Sequence, residues 1–599
     1  MSKSIIIRQL IIKNMKMKSD LFKFFLVTIS CFNIIVSQET ENDNKISIQE
    51  ITIIKSYNPS LKDVFKVPET IYLLDTLLIK KNENKYNVLP VPVLSTFKPN
   101  KGEPLVLKFS KKSEKFNSLL NIGFGNFNHI LLDYSSGIKL DRLNSIDWII
   151  NFDGILKKNP ITIFDSSKSN SLFNISHSFK SNSLWSISQI NFHQNKQNFH
   201  GIRSIISDPL IIEKTDTKQN LGYLSIGSNW NWFNSLINEV DFNIFFTSDS
   251  YQSSELEFDL NSIFKFSLLG MKINVSPSIN YFSNQFSSEY YSNLPTEYFS
   301  GKSSIKFDII SIKNKLKIKI GLIASKGLSN GFEENNFFVF PNFDFAYFSS
   351  NRFFNPYGKI KGNLELNNYR KFTHNNPFTS PGIIFEPNVI PLQLIFGNSF
   401  MISKIVELDL NGFYMYSKAH PFFRNFGYDN SNFDFTSFRY GNSFEVIYDE
   451  LEAYGFEMGL KVIFKGNDYV NMNIIYRDLE AKEISRPWNL SNLKMNFSGN
   501  MRIINKLYAQ WKINYIGKRY NSFRDNFLLQ SPEDASEIEE ELKPFIYSDL
   551  RITQVVNERW NVFIKAENIF NQKSYEWANY KSYGSQFLFG LSYNFNFNY

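Results

Sequence analysis

A single cysteine, Cys31, stands among 599 residues. It falls inside a segment that reads as an export signal, so the mature chain carries none. Disulfides, thiolate metal sites and cysteine nucleophiles are thereby excluded. Histidine is almost as scarce: His129, His177, His193, His200, His374 and His420 are all there is. No two of them have the His-x-x-x-His spacing of a helical metal site. No Gly-x-Ser-x-Gly, Walker A loop or His-Glu-x-x-His occurs. The expectation is a non-enzyme with no catalytic residues, no metal site and no cofactor. Apolar runs of about 20 residues are missing, which excludes a helical membrane bundle. A fixed repeat period is missing too, which excludes a solenoid.

An excess of one charge is also lacking. The chain has 65 Lys and Arg against 57 Asp and Glu, for a net +8. Residues 1–37 hold Lys3, Arg8, Lys13, Lys16, Lys18 and Lys23 but one acid, Asp20. Without them the balance is 59 to 56, a net +3. A near-neutral chain of this size gives no argument for nucleic acid. In residues 1–37, Lys13, Lys16 and Lys18 precede an apolar stretch from Leu21 to Val36, and Ser37 is the small residue before a cut at Gln38. This is the pattern of a cleavable signal peptide, with Met15 or Met17 as an alternative start. A single membrane anchor is the rival reading, and a lipoprotein cut before Cys31, after Thr28-Ile29-Ser30, is another.

What the chain has is aromatic side chains: 61 Phe, 30 Tyr and 8 Trp, or 17%. Disordered chains are poor in aromatics. Residues 38–115 are richer in Pro and Lys, and Leu89-Pro90-Val91-Pro92-Val93 cannot be a central strand. We read 38–115 as a periplasmic N-terminal extension, in part within the lumen. From about Phe116 to residue 599 the texture is uniform. Leu591, Tyr593, Phe595, Phe597 and Tyr599 alternate with Ser592, Asn594, Asn596 and Asn598. Tyr454, Phe456, Met458, Leu460, Val462 and Phe464 alternate with Gly455, Glu457, Gly459 and Lys461, and Val406, Leu408, Leu410, Tyr414 and Tyr416 with Glu407, Asp409 and Asn411. A period of two puts successive side chains on opposite faces of a strand.

An aromatic face on nearly every strand, with Asn, Ser, Lys and Glu opposite, is what a membrane barrel needs: lipid outside, polar lumen inside. The fold class expected is all-β, a transmembrane antiparallel β-barrel of about 22 strands (range 18–22) over residues 116–599. Strand starts are expected near 116, 128, 144, 170, 184, 221, 238, 252, 269, 300, 314, 336, 357, 390, 403, 441, 467, 490, 504, 545, 560 and 586. Short turns fall near Leu268, Lys313, Asn398, Asn467, Asn505 and Asn557. Long connections fall near 195–220, 282–299, 371–389, 418–440, 518–544 and 571–585.

The stretch Phe563-Ile564-Lys565-Ala566-Glu567-Asn568-Ile569-Phe570-Asn571, then Tyr575, then Phe587 to Phe595, resembles the end of TonB-dependent receptor barrels. Ile51 to Lys55, Tyr57 to Lys66 and Gly123-Phe124-Gly125-Asn126 resemble a receptor-like outer-membrane group of the Bacteroidota. The resemblance implies transport of an unknown solute across the outer membrane. Its partners would be outer-membrane lipids, the barrel-assembly machinery acting on the terminal strand, and TonB or an outer-membrane lipoprotein. Glu50, Ile51, Thr52, Ile53 and Ile54 resemble a TonB box, which works by strand addition; an ordinary short strand or linker is the plain alternative. Receptors of that family carry a plug of well over a hundred residues, and about 65 residues here leave no room for a full one. The rival function is a structural or assembly component whose loops bind partner proteins. A barrel enzyme with a Ser/His pair assembled by folding stays open as a third.

Three further segments carry alternatives. Pro532 to Leu542, with Glu533, Asp534, Glu537, Glu539, Glu540 and Glu541, reads as a solvated loop or a Ca²⁺ site. Asp429-Asn430-Ser431-Asn432 fails as an EF-hand, since Asp434 and Tyr440 stand where Gly and Glu are needed. It reads as a turn. Phe337 to Phe348 and Pro421 to Phe435 read as an aromatic girdle at the membrane interface, or as a contact surface in the outer loops.

Overall fold

The computed structural model describes residues 116–597, apart from 203–208, 270, 291–293, 314, 330–335, 350–352, 429–431, 433, 465, 526–535 and 574. The signal peptide, the 38–115 extension, the TonB-box-like segment and Tyr599 lie outside the described residues.

The first strands are β1 (Ser118–Gly125), β2 (His129–Lys139), β3 (Asn144–Ile155), β4 (Lys168–Lys180), β5 (Leu184–Asn198), β6 (Lys218–Trp232) and β7 (Ile237–Ser248). They continue as β8 (Ser254–Leu268), β9 (Met271–Phe286), β10 (Thr296–Lys313), β11 (Leu316–Ser329), β12 (Phe337–Tyr347), β13 (Asn355–Glu365) and β14 (Asn388–Met401). Next come β15 (Val406–Asn425), β16 (Phe444–Ile463), β17 (Tyr469–Ala481), β18 (Leu493–Ile504), β19 (Leu507–Ile516), β20 (Arg519–Asp525) and β21 (Ser536–Leu542). The last are β22 (Phe545–Val555), β23 (Trp560–Glu567), β24 (Tyr575–Trp577), β25 (Tyr580–Lys581) and β26 (Gln586–Phe595). Two short helices, α1 (Pro209–Lys214) and α2 (Tyr369–Asn375), lie in connections.

Each barrel strand pairs antiparallel with the next. β19 pairs directly with β22, and β26 closes on β1 from Ser118↔Phe595 to Gly125↔Leu588. Among the described residues, 22 strands form this closed ring. Closure leaves no strand at an open edge, which a hydrocarbon surrounding requires. β20 and β21 form a hairpin outside the ring that meets β15 through one bridge, Asn425↔Phe523. β24 and β25 form a second small hairpin.

Alternation assigns the faces. Ile122, Phe124, Phe589 and Leu591 are exposed on the outer surface, while Asn121, Ser592 and Asn594 are buried inward. In water such a belt of apolar side chains would be costly; against acyl chains it is the solvated surface. Trp560 and Tyr593 pack at 4.5 Å on this belt, and Trp148 meets Phe597 edge-on at 5.7 Å.

All 22 expected starts lie within four residues of observed ones. The short turns sit where expected except that β14 runs on to Met401, past the turn placed at Asn398. The terminal strand ends at Phe595 instead of running to 599. Beyond it, Phe597 is held by its amide donating to Asn117 Oδ1 at 2.7 Å. The short connections lie at the end that holds Ser118 and Phe595, so the long ones share the other, extracellular end. β15 and β16 have 20 residues each, twice the ~9–11 a crossing needs. Their upper halves therefore stand above the bilayer.

Candidate functional site

The long connections meet over the barrel mouth and share an aromatic core. Phe199, Tyr290, Phe426 and Phe438 pack together from three separate connections. Tyr290 lies flat on Phe426 with ring centres 3.7 Å apart, and Phe378 lies on Tyr580 at 3.4 Å. Phe164, Ile202, Ile211 and Tyr440 form a second group, and Phe444, Leu542, Ala578 and Tyr580 a third. Polar ties lock the pieces. Asn442 Nδ2 donates to Phe199 O at 2.6 Å, and Tyr580 donates its hydroxyl to Asn442 O. Tyr290 donates to Gly427 O at 2.8 Å and accepts from Gly441 N at 3.0 Å. Gly201 sits so close to Tyr580 that a Cβ there would lie 2.5 Å from the ring. The mouth is thus roofed by protein.

Pro421 to Tyr428 belongs to this roof and not to a membrane girdle: Phe422 is buried, and Phe426 is part of the core; the turn expected at Asp429 to Asn432 falls mostly outside the described residues. Phe337 to Tyr347 is strand β12, with Phe337 and Val339 exposed outward and Phe340 buried inward beside Phe338.

One connection, 366–387, folds inside the wall. Its helix α2 docks on the inner faces of β6, β8 and β9. Asn368 caps the helix by accepting from Lys371 N at 3.0 Å. The Glu255 carboxylate, buried on β8, accepts from the amides of Tyr369 (2.7 Å) and Arg370 (3.0 Å). An anion at a helix N-terminus meets unpaired amides and the positive end of the dipole. The Arg370 guanidinium grips Glu257 through Nε at 2.7 Å and lies 3.9 Å over the Phe245 ring. Tyr369 donates to Asp249 at 2.8 Å, and Tyr223 to Thr373 at 3.0 Å. Burial pushes the Asp249 carboxyl above its usual range, against hydrogen bonds that favour the carboxylate. Leu221, Phe282, Phe286, Phe372 and Phe385 complete the seat. Within the roof, burial between Phe378 and Tyr580 lowers His200 to about 4.

The inner wall is polar. On the β2–β3–β23 side, His129 Nε2 lies 2.7 Å from Asp153, and Lys565 Nζ lies 2.5 Å from Glu567 and 3.8 Å from Asp153. Ligand atoms of His129, Asp153 and Glu567 fall within 4.8 Å of one another. The Lys565 ammonium already stands between the two carboxylates, so the group reads as an ion network. Sequence reasoning missed it: nothing in a linear pattern joins residues 129, 153 and 567. His193 accepts or donates to Asn170 and stacks on Tyr223 at 5.3 Å. Among the described residues, neither His193 nor His200 belongs to a group of three or more metal-ligating side chains.

The acidic segment of β21 meets bases. Glu537 lies 3.3 Å from Arg424, Glu539 2.8 Å from Arg486 and Glu541 3.1 Å from Lys518. These partners, on three different connections and strand ends, hold three of the segment's six carboxylates; Glu533 and Asp534 lie outside the described residues. Leu591, Tyr593 and Phe595 of the terminal strand lie on the outer face of β26, with Leu591 exposed.

No protein-family profile matches the sequence, and neither does any curated protein. Solved structures do match in shape. The FrpB iron transporter from Neisseria meningitidis is 12% identical, with 80% of this chain and 82% of that one covered at a TM-score of 0.56. The siderophore receptor PirA from Acinetobacter baumannii is 10% identical, with 81% of each covered at 0.56. The pyoverdine outer membrane receptor FpvA from Pseudomonas aeruginosa is 9% identical, with 81% and 79% covered at 0.54. At such identities the likeness speaks for architecture: the chain has the closed 22-strand barrel fold of these transport proteins.

Proposed function

We propose that the protein is an outer-membrane transport protein that passes or imports a solute through a lumen its own connections close. The observation that carries this is the pairing of a polar inner wall with an inward-folded segment, 366–387, held by a few side chains. A barrel that served only as an anchor would have no need of a hydrophilic path. The matched structures, by their names an iron transporter, a siderophore receptor and a pyoverdine outer membrane receptor, support the same reading. Export through a signal peptide at 1–37, a small lumenal role for 38–115, and TonB contact through Glu50 to Ile54 belong to this proposal. So do assembly through the terminal strand Leu591 to Tyr599 and the absence of enzymatic chemistry.

A second reading takes the protein as a structural or assembly component that binds partners, a lipoprotein among them, through its outer connections. The aromatic roof favours it, since a packed core gives those connections a fixed shape. Single-channel conductance in planar bilayers separates the two, comparing the mature chain with one lacking 38–115. Transport predicts a silent intact protein and conductance, at least in bursts, once 38–115 is gone. Silence from both that persists when 367–385 is removed as well shifts the weight to the structural reading. Large steady current from the intact chain removes the TonB-box idea.

A further inference from the structure

Several cations of the lumen face a carboxylate. Arg370 holds Glu257, Lys319 pairs with Asp344, Lys306 lies 3.8 Å from Asp308, and Lys565 sits by Glu567 and Asp153. β17 and β18 depart from this. Tyr476 and Phe497 are exposed on the outer face, so Arg477 and Lys494, offset from them by odd steps, face inward. The register pairs Ile475 with Lys494. Arg477 is thus the diagonal neighbour of Lys494, within reach of long side chains.

Neither cation has an ion pair among the described residues. Arg477 Nε donates only to a carbonyl, Ser491 O, at 3.0 Å. Arg519, at the start of β20, adds positive charge that acts on Lys494 together with Arg477. Arg519 Nη1 also donates to Glu576 O of the 568–585 connection, which puts the group directly beneath the roof. Like charges side by side on a strand pair repel, and half-buried cations without a counter-charge are costly. Among the described residues these two cations stand side by side with no carboxylate against them, an arrangement that an anion would complete. The guanidinium fork matches a carboxylate or phosphate in two bonds, and the ammonium adds a mobile third donor.

We propose that Arg477 and Lys494, with Arg519 beside them, form a lumenal binding site for a small multivalent anion bearing carboxylates or a phosphate. The site names a substrate class for the transport reading and rests on it only in that respect.

The test is isothermal titration of the purified mature chain at low salt with citrate and, separately, with pyrophosphate. Binding of at least one is expected, and which one binds tells carboxylate from phosphate chemistry. Arg477→Gln and Lys494→Gln should each weaken it about tenfold or more. Lys139→Gln, at an exposed position on the opposite end of β2, should leave it unchanged. Heat-shifted migration on gels confirms that each variant keeps its barrel. The proposal is overturned if neither anion binds, if binding survives both substitutions, or if Lys139→Gln weakens it equally. Anion binding by a protein that never conducts upholds the site and sinks transport; conduction without anion binding does the reverse.

Discussion

Arg370 joins three contacts in one residue: its guanidinium makes an ion pair with Glu257 and a ring contact with Phe245, and its backbone amide donates to Glu255. Removing one partner of a buried pair leaves the other charge uncompensated, at about 3 kcal/mol. Arg370→Ala should therefore loosen 366–387 by that order, seen as faster hydrogen exchange there with the barrel strands unchanged. Unchanged exchange would mean the helix is held by its aromatic seat alone. His200 gives a pH dependence. Its folded value of about 4 lies below the ordinary 6.5, so between the two the opened connection binds more protons. Stability of the roof then rises with pH across that window and is lost as pH falls toward 4. At full effect this is about 3 kcal/mol. Protection factors of the amides at 199–202 and 209–217, corrected for the intrinsic pH dependence of exchange, should fall from pH 7 to 5, and His200→Phe should abolish that fall. At this scale the sequence told which face a residue takes but not whom it meets. Glu567 is read in the sequence only as part of a barrel-end resemblance; closure of β26 on β1 is what brings it to His129 and Asp153.

Strands were the legible elements, because a period of two with lipid on one side repeats the same physical demand 22 times. Connections obey no such demand. Pro421 to Phe435 is as aromatic as β12, so composition could not tell a roof core from a membrane belt; packing across chain-distant connections decides it. The β20–β21 hairpin was equally hidden, since its glutamates are matched by Arg424, Arg486 and Lys518 from elsewhere. Replacing Glu537, Glu539 and Glu541 by Gln should make the hairpin cleavable by trypsin while the barrel stays resistant. Adding Ca²⁺ to the unaltered protein should not change its cleavage. Protection by Ca²⁺ would restore the metal reading of this segment. Gly201→Val, which drives a side chain into the Tyr580 ring, should disorder the roof in the same assay without affecting the wall.

As a whole, the molecule sets an apolar outer belt against a polar inner wall, with an even number of strands so that Ser118 and Phe595 meet at one end. This much follows from the bilayer as solvent. What does not follow is whether the lumen is open, which depends on how the connections pack. The structure places a roof and an inward helix there. On the transport reading, these close a path built for passage. The most direct measurement is conductance of a chain lacking both 38–115 and 367–385, against the intact mature protein. Steady current from the double deletion and silence from the intact chain is the predicted result. A double deletion that keeps its heat-shifted barrel on gels yet carries no current would contradict the claim.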